Sequence, residues 1–135
     1  MKELTVDAKP ESLTEIQAFV GDELVAMNCP AGTRQQISVA VDEVFGNIAN
    51  YAYEGGEGYA TVRLETETDP RAIVLTFLDS GVPFDPLTTG TPNTSLKARE
   101  RKIGGLGIFM VRKLMDEISY EYADGKNVLK IKKQF

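Results

Sequence analysis

A chain of 135 residues, 42% hydrophobic and 26% charged, suits one domain with its own core. A net charge of -5 argues against a general nucleic-acid or anionic-membrane surface, yet leaves room for a phosphate site, which needs only local positive potential. The absence of histidine removes His-based triads, HExxH zinc sites and a phospho-histidine step on this chain, and the lone Cys29 cannot form an internal disulfide.

The start, Met-Lys-Glu-Leu-Thr-Val-Asp, carries no apolar signal segment, and no run reaches membrane-spanning length, so a cytoplasmic address is expected. Residues 2–7 alternate loosely and suit an edge strand. Ser12 with Glu15 three residues on suits a capping box. Leu13, Ile16, Val20, Leu24 and Met27 then keep helical spacing. A break at 28–32 contains Cys29, read as a small residue at a helix end, and Pro30. Thr33 is expected to cap a second helix with the buried stripe Ile37, Val41, Val44 and Ile48, running to about Tyr53.

Two strands follow. Residues 59–67 alternate Ala60, Val62 and Leu64 with polar neighbours, Asp69-Pro70-Arg71 turns the chain, and 72–78 is continuously apolar, as a central strand requires. Residues 83–103 are rich in Pro, Thr, Gly and charge without periodicity, which marks a functional loop or lid, placed at about 85–104. A third helix is expected near Gly105, with Ile108, Val111, Met115 and Ile118 on one face. Residues 119–123, the Asp124-Gly125 turn and 127–132 read as a hairpin. The order is that of a single α+β domain spanning 1–135, a two-layer α/β sandwich whose mixed, mostly antiparallel sheet carries helices on one face.

Three motifs carry chemistry. In Asp42-Glu43-Val-Phe-Gly-Asn47, Glu43 and Asn47 share a helix face off the apolar stripe. A glutamate can serve as general base and an amide oxygen suits Mg²⁺, although the pair alone also fits a solvated helix face. In Asp79-Ser-Gly81-Val-Pro83-Phe84-Asp85, a carboxylate follows an apolar strand. It either caps a turn or accepts from the exocyclic amine of adenine, with Gly81 allowing the ring close to the backbone. Gly104-Gly105-Leu106-Gly107-Ile108 opens a helix, where free N–H groups suit phosphates, or is a flexible linker. Lys97, Arg99, Arg101 and Lys102 form a charge run that is either solvated or placed to reach a γ-phosphate. Neither GxxxxGK[ST] nor GxGxxG occurs, so a P-loop and a Rossmann site are not supported.

With these motifs in this order, the chain resembles the GHKL ATPase superfamily, whose nucleotide site is the Bergerat fold. Glu43–Asn47 is similar to its N box, Asp79-Ser-Gly81 to its G1 box and Gly105-Leu-Gly107 to its G2 box. Within it the chain is most similar to small anti-sigma factor serine kinases of the RsbW type, through residues 47–53, Phe84-Asp85-Pro86 and the run from Gly105 to Glu117. The resemblance implies ATP and Mg²⁺ as cofactors. It implies Glu43 as the base, Asn47 on the metal, and Asp79 reading adenine beside Gly81. Gly105, Leu106 and Gly107 would lie on the phosphates, with Asn50 and Lys102 among the nucleotide-binding residues. It implies a protein serine/threonine kinase whose substrate is a STAS-domain anti-anti-sigma protein. A sigma factor or similar regulator would be the sequestered partner, in a homodimer, with no nucleic acid or membrane partner. The chain departs from that pattern at Tyr51, often His in the family, at Asn127, often Thr near the adenine, and at Lys102-Ile103 before the glycines. An ATP- or ADP-binding module that sequesters a partner without kinase activity, and a detached histidine-kinase catalytic domain, are the alternatives.

Overall fold

The computed structural model describes residues 1–88 and 102–135. Alternation sets the first layer. In β2 (Tyr59–Thr68), Ala60, Val62 and Leu64 are buried while their neighbours on the other face are not. Also present are β1 (Lys2–Asp7), β3 (Arg71–Asp79), β4 (Glu117–Ala123) and β5 (Lys126–Gln134). They form one sheet in the order β1-β2-β3-β5-β4. One row of partners, Leu4, Val62, Phe77, Leu129 and Tyr120, crosses all the strands on the inner face.

The expected α+β sandwich is what forms, but the sheet is antiparallel at every pairing rather than mixed. Connectivity explains this. β4 runs in the direction of β3, as a single crossover helix dictates. The tight turn at Asp124 (φ 54) and Gly125 (φ 74) then folds β5 back into the space between them. No parallel neighbours are left among the described residues.

The helices cover the inner face. α1 (Leu13–Ala26) contributes Ile16, Val20 and Leu24 to the core, and α2 (Ala31–Asn47) contributes Ile37, Val41, Val44 and Phe45. α3 (Lys102–Leu114) contributes Val111, and Met115 just beyond it is also buried. No helix among the described residues packs on the outer face. There Arg63 pairs with Glu3, and Lys132 lies between Glu67 and Glu117. The outward side chains of central β3, Val74, Thr76 and Leu78, are nevertheless buried, since β3 has a strand on each side of it.

Several boundaries differ from expectation. Ser12 makes no capping hydrogen bond, because Pro10–Ser12 is itself a 3₁₀ turn and Ser12 is already helical (φ -74, ψ -12). An N-cap side chain reaches the first amides only from an extended backbone. Thr33 lies inside α2, which starts one residue after an extended Pro30 (φ -59, ψ 146). α3 ends at Leu114, so Ile118 belongs to β4. Cys29 is buried, and burial pushes its thiol up, against the opposing pull of Arg34 and Arg71. No helix among the described residues is long and apolar enough to cross a membrane.

Candidate functional site

α2 ceases to be α-helical at Asn47 and continues as a π-helical turn over Ile48–Ala52. Such wide turns recur at functional sites because they redirect side chains at a fixed point on a helix. β3 ends nearby at Asp79, and Asn127 of β5 stands directly across from it. Between α2 and these strand ends lies a cavity lined by Val44, Asn47, Ile48, Tyr51, Phe77, Asp79, Val82, Phe84, Tyr120, Asn127 and Leu129. A mostly apolar, concave surface with a few convergent polar groups is the form expected for a small-molecule site.

Asp79 is buried, with Oδ1 accepting from the Gly81 backbone N–H at 2.9 Å and from Asn127 Nδ2 at 2.9 Å. Oδ2 makes no hydrogen bond among the described residues, and the side chain lines the cavity. The carboxylate therefore presents one open acceptor to whatever occupies the cavity.

Gly81 also meets a packing demand that its spacing did not suggest. A Cβ there would stand 2.2 Å from the Ala52 carbonyl oxygen, and the next residue, Val82, donates its N–H to that same oxygen at 2.8 Å. The turn after β3 thus docks on the end of the π-helical turn, and only glycine permits the contact. Tyr53 locks the same junction, accepting from Ser80 N–H at 2.9 Å and donating to the Tyr59 carbonyl. Gly81→Ala is expected to destabilise the fold by about 1–3 kcal/mol or more, read as a lower urea midpoint, because backbone must move to admit the methyl.

Asn47 Oδ1 is sealed from solvent and has no hydrogen-bond partner among the described residues. An orphaned buried acceptor costs about 1–3 kcal/mol, which a hard cation held against it would offset. The described residues contain no cluster of three or more acidic, Cys or His ligands. A lone amide oxygen nonetheless fits Mg²⁺ carried by a nucleotide, since that ion keeps its phosphate and water ligands and needs few from protein.

Glu43 lies one helical turn before Asn47, half-buried and outside the cavity lining. Burial, with the charge of Asp42 adding, raises its carboxyl above the usual range. Asn50 is exposed, and its Nδ2 donates to the Gly46 carbonyl at 2.8 Å, so its amide braces the helix end rather than facing the cavity. Lys102, Gly105, Leu106 and Gly107 fall within the first turns of α3, which begins at Lys102 rather than near Gly105. The side chains of 101–107 lie outside the described residues, as do residues 89–101 with Lys97, Arg99 and most of the expected lid. Before that segment, Asp85 Oδ1 accepts from Leu87 N–H at 2.8 Å, and Arg112 donates to the Leu87 carbonyl at 3.0 Å.

Sequence reasoning did not identify Tyr120, Val82 or Phe84 as cavity residues, and it noted Tyr51 and Asn127 only as departures. Tyr120 carried a signal, since it occupies an inward position in an alternating strand beside a predicted hairpin.

Residues 6–133 match the histidine kinase-like ATPase domain family. The serine-protein kinase RsbW of Listeria innocua is 29% identical, over 96% of this chain and 84% of its own length. The serine/threonine-protein kinase BtrW of Bordetella bronchiseptica is 28% identical, over 73% of this chain and 69% of its own. Among solved structures, the SiaB–SiaC complex from Pseudomonas aeruginosa contains a chain that superposes with TM-score 0.58 at 19% identity, covering 98% of this chain and 89% of that one. The catalytic domain of histidine kinase ThkA superposes with TM-score 0.53 at 16% identity, covering 99% and 98%. The chain belongs to the histidine kinase-like ATPase domain family, the GHKL group with the Bergerat nucleotide fold, and within it is similar to the RsbW serine-protein kinases.

Proposed function

We propose that the chain is an ATP- and Mg²⁺-dependent protein serine/threonine kinase that phosphorylates a STAS-domain anti-anti-sigma protein in a bacterial partner-switching circuit. Asn47 is the observation that carries it. Its oxygen is sealed and has no hydrogen-bond partner among the described residues, and the residue lines the cavity one helical turn from a carboxylate whose pKa is raised. This pairing supplies a metal ligand and a base on one helix, with Asp79 at the far wall to read adenine. The relatives named as serine- or serine/threonine-protein kinases support the same reading.

In this proposal the single domain 1–135 binds ATP with the base against Asp79 and the phosphates toward the start of α3. Backbone amides of Gly105, Leu106 and Gly107 hold the phosphates, with Lys102 adding positive charge. Asn47 would hold Mg²⁺, which would supply positive charge to offset that of the phosphates. Glu43 takes the proton of a substrate hydroxyl as that oxygen bonds to the γ-phosphorus and the bond to ADP breaks. The modified substrate releases the kinase, which then holds a sigma factor or similar regulator. We place this in the cytoplasm, with the kinase as a homodimer.

Asn47→Ala is expected to lower Mg·ATP affinity at least about tenfold without loss of thermal stability, since it removes an acceptor that folding leaves unsatisfied. Transfer from γ-labelled ATP to a STAS protein tests the whole proposal. Acid-stable phosphoserine or phosphothreonine is the expected product. Nucleotide binding without transfer would instead establish a sequestering module, and an acid-labile product a histidine-kinase catalytic domain.

A further inference from the structure

We propose that Asn127 is the positioning residue that sets base selectivity, by fixing which oxygen of Asp79 faces the cavity. This inference rests on the cavity being the nucleotide site. Asn127 is buried and makes four hydrogen bonds. Its Nδ2 donates to Asp79 Oδ1 at 2.9 Å and to the Val82 carbonyl at 3.0 Å. Its Oδ1 accepts from the Phe84 backbone N–H at 3.1 Å and from the Tyr120 hydroxyl. The Phe84 N–H can only donate and the Val82 carbonyl can only accept, so the orientation of the amide is set by its neighbours.

Two donors and two acceptors on one short, planar group is the hydrogen-bonding inventory of asparagine. Aspartate offers no donor when ionised. Threonine offers a single donor, which serves either Asp79 or Val82 but not both. Burial pushes the Tyr120 phenol up, so its hydroxyl stays protonated and remains the fourth partner.

The consequences reach the cavity in two places. Asp79 Oδ1 already accepts from the Gly81 N–H, and one hydrogen bond leaves a carboxylate free to pivot about its own axis. The second, from Asn127, fixes the carboxylate plane and leaves Oδ2 as the carboxylate oxygen with no hydrogen bond among the described residues. The contacts to Val82 and Phe84 meanwhile hold the segment whose side chains form one cavity wall. A single amide therefore joins the base reader, the wall and, through Tyr120, the edge strand β4. A site built around one oriented acceptor discriminates against a ligand that brings another acceptor, because two lone pairs then face each other without a proton.

The test is calorimetric titration of Mg·ATP and Mg·ITP on the full chain, since inosine carries a carbonyl where adenine carries the exocyclic amine. The readout is the ratio of the two affinities, measured on one folded protein, which a general loss of stability does not move. Wild type is expected to prefer ATP. Asn127→Asp keeps the shape but removes both donors, and its ATP preference is expected to fall about tenfold or more near neutral pH. As pH falls, a proton shared between the new carboxyl and Asp79 restores one donor, and the preference is expected to recover partly, with no such recovery in wild type. Tyr120→Phe, which removes one partner and keeps both donors, should show a smaller fall and serves if the first variant does not fold. An unchanged ratio in the variants that fold overturns the role of Asn127 alone. Absence of ATP binding by wild type overturns the nucleotide reading and this inference with it.

Discussion

Glu43→Gln is expected to lower phosphoryl transfer by roughly 10²–10⁴-fold while ATP binding survives. The substitution keeps the shape and removes the basic oxygen, and Glu43 lies outside the cavity lining, so the nucleotide contacts stay intact. The pH profile gives a second reading. Burial first, and Asp42 second, raise the Glu43 carboxyl, so the acidic limb of kcat should lie above the ordinary glutamate range of about 4.3. Asp42→Asn removes the like charge and should move that limb to lower pH. Linkage fixes the sign for stability. With the folded pKa above the unfolded one, burial carries no penalty below the unfolded pKa, where both states are protonated. The penalty is complete once pH has risen through the folded pKa. Glu43→Gln should therefore unfold at an equal or higher temperature than wild type at neutral pH, and the difference should vanish in acid. Lost activity with retained stability is the signature of a base held at a cost to the fold, whereas full kinase activity in this variant would overturn the assignment.

The layers were legible because periodicity reports burial directly. The stripe Ile37, Val41, Val44 and Ile48 is buried as its spacing requires, and the continuous apolar run before Asp79 is the central strand. The Asp124-Gly125 pair marked a turn that needs two left-handed residues. What stayed hidden depends on contacts that local sequence does not encode. A π-helical turn at Ile48–Ala52 has no periodic signature distinct from an α-helix, so the helix extent was right and its character was not. Gly81 is demanded by Ala52, which lies far back in the chain. Asp79 and Asn127 become partners only once β5 inserts beside β3, a choice made by sheet order rather than by either strand. For the site, spacing along α2 brought out Glu43 and Asn47, and the position at the end of a strand brought out Asp79. The groups around Asp79, with Asn127 bonded to it, Tyr120 bonded to Asn127 and Tyr53 bonded to the next residue, Ser80, sit on other elements and read in sequence as ordinary strand or helix-end residues.

Asp79→Asn should do more than weaken ATP binding; it should turn the preference toward a 6-oxopurine. Two donors, the Gly81 N–H and Asn127 Nδ2, converge on the position of Oδ1. An amide placed there must keep its oxygen against them, since the opposite orientation sets an NH₂ group against two N–H donors. The NH₂ group then takes the place of Oδ2 and faces the cavity. An acceptor becomes a donor at the position residue 79 presents to the base, so the exocyclic amine of adenine meets another donor while the carbonyl of hypoxanthine meets a partner. Loss of a hydrogen bond to a charged group predicts an ATP affinity lower by about 10–10²-fold. Mg·ITP affinity should hold or rise, and the phosphate contacts at the start of α3 are shared by both nucleotides and cancel from the comparison. Equal losses for ATP and ITP would mean that the carboxylate supports the turn after β3 without reading the base. A reversal confined to Asp79→Asn, and erased when Asn127 is also changed, would show that the orientation of a single carboxylate decides which purine this cavity takes.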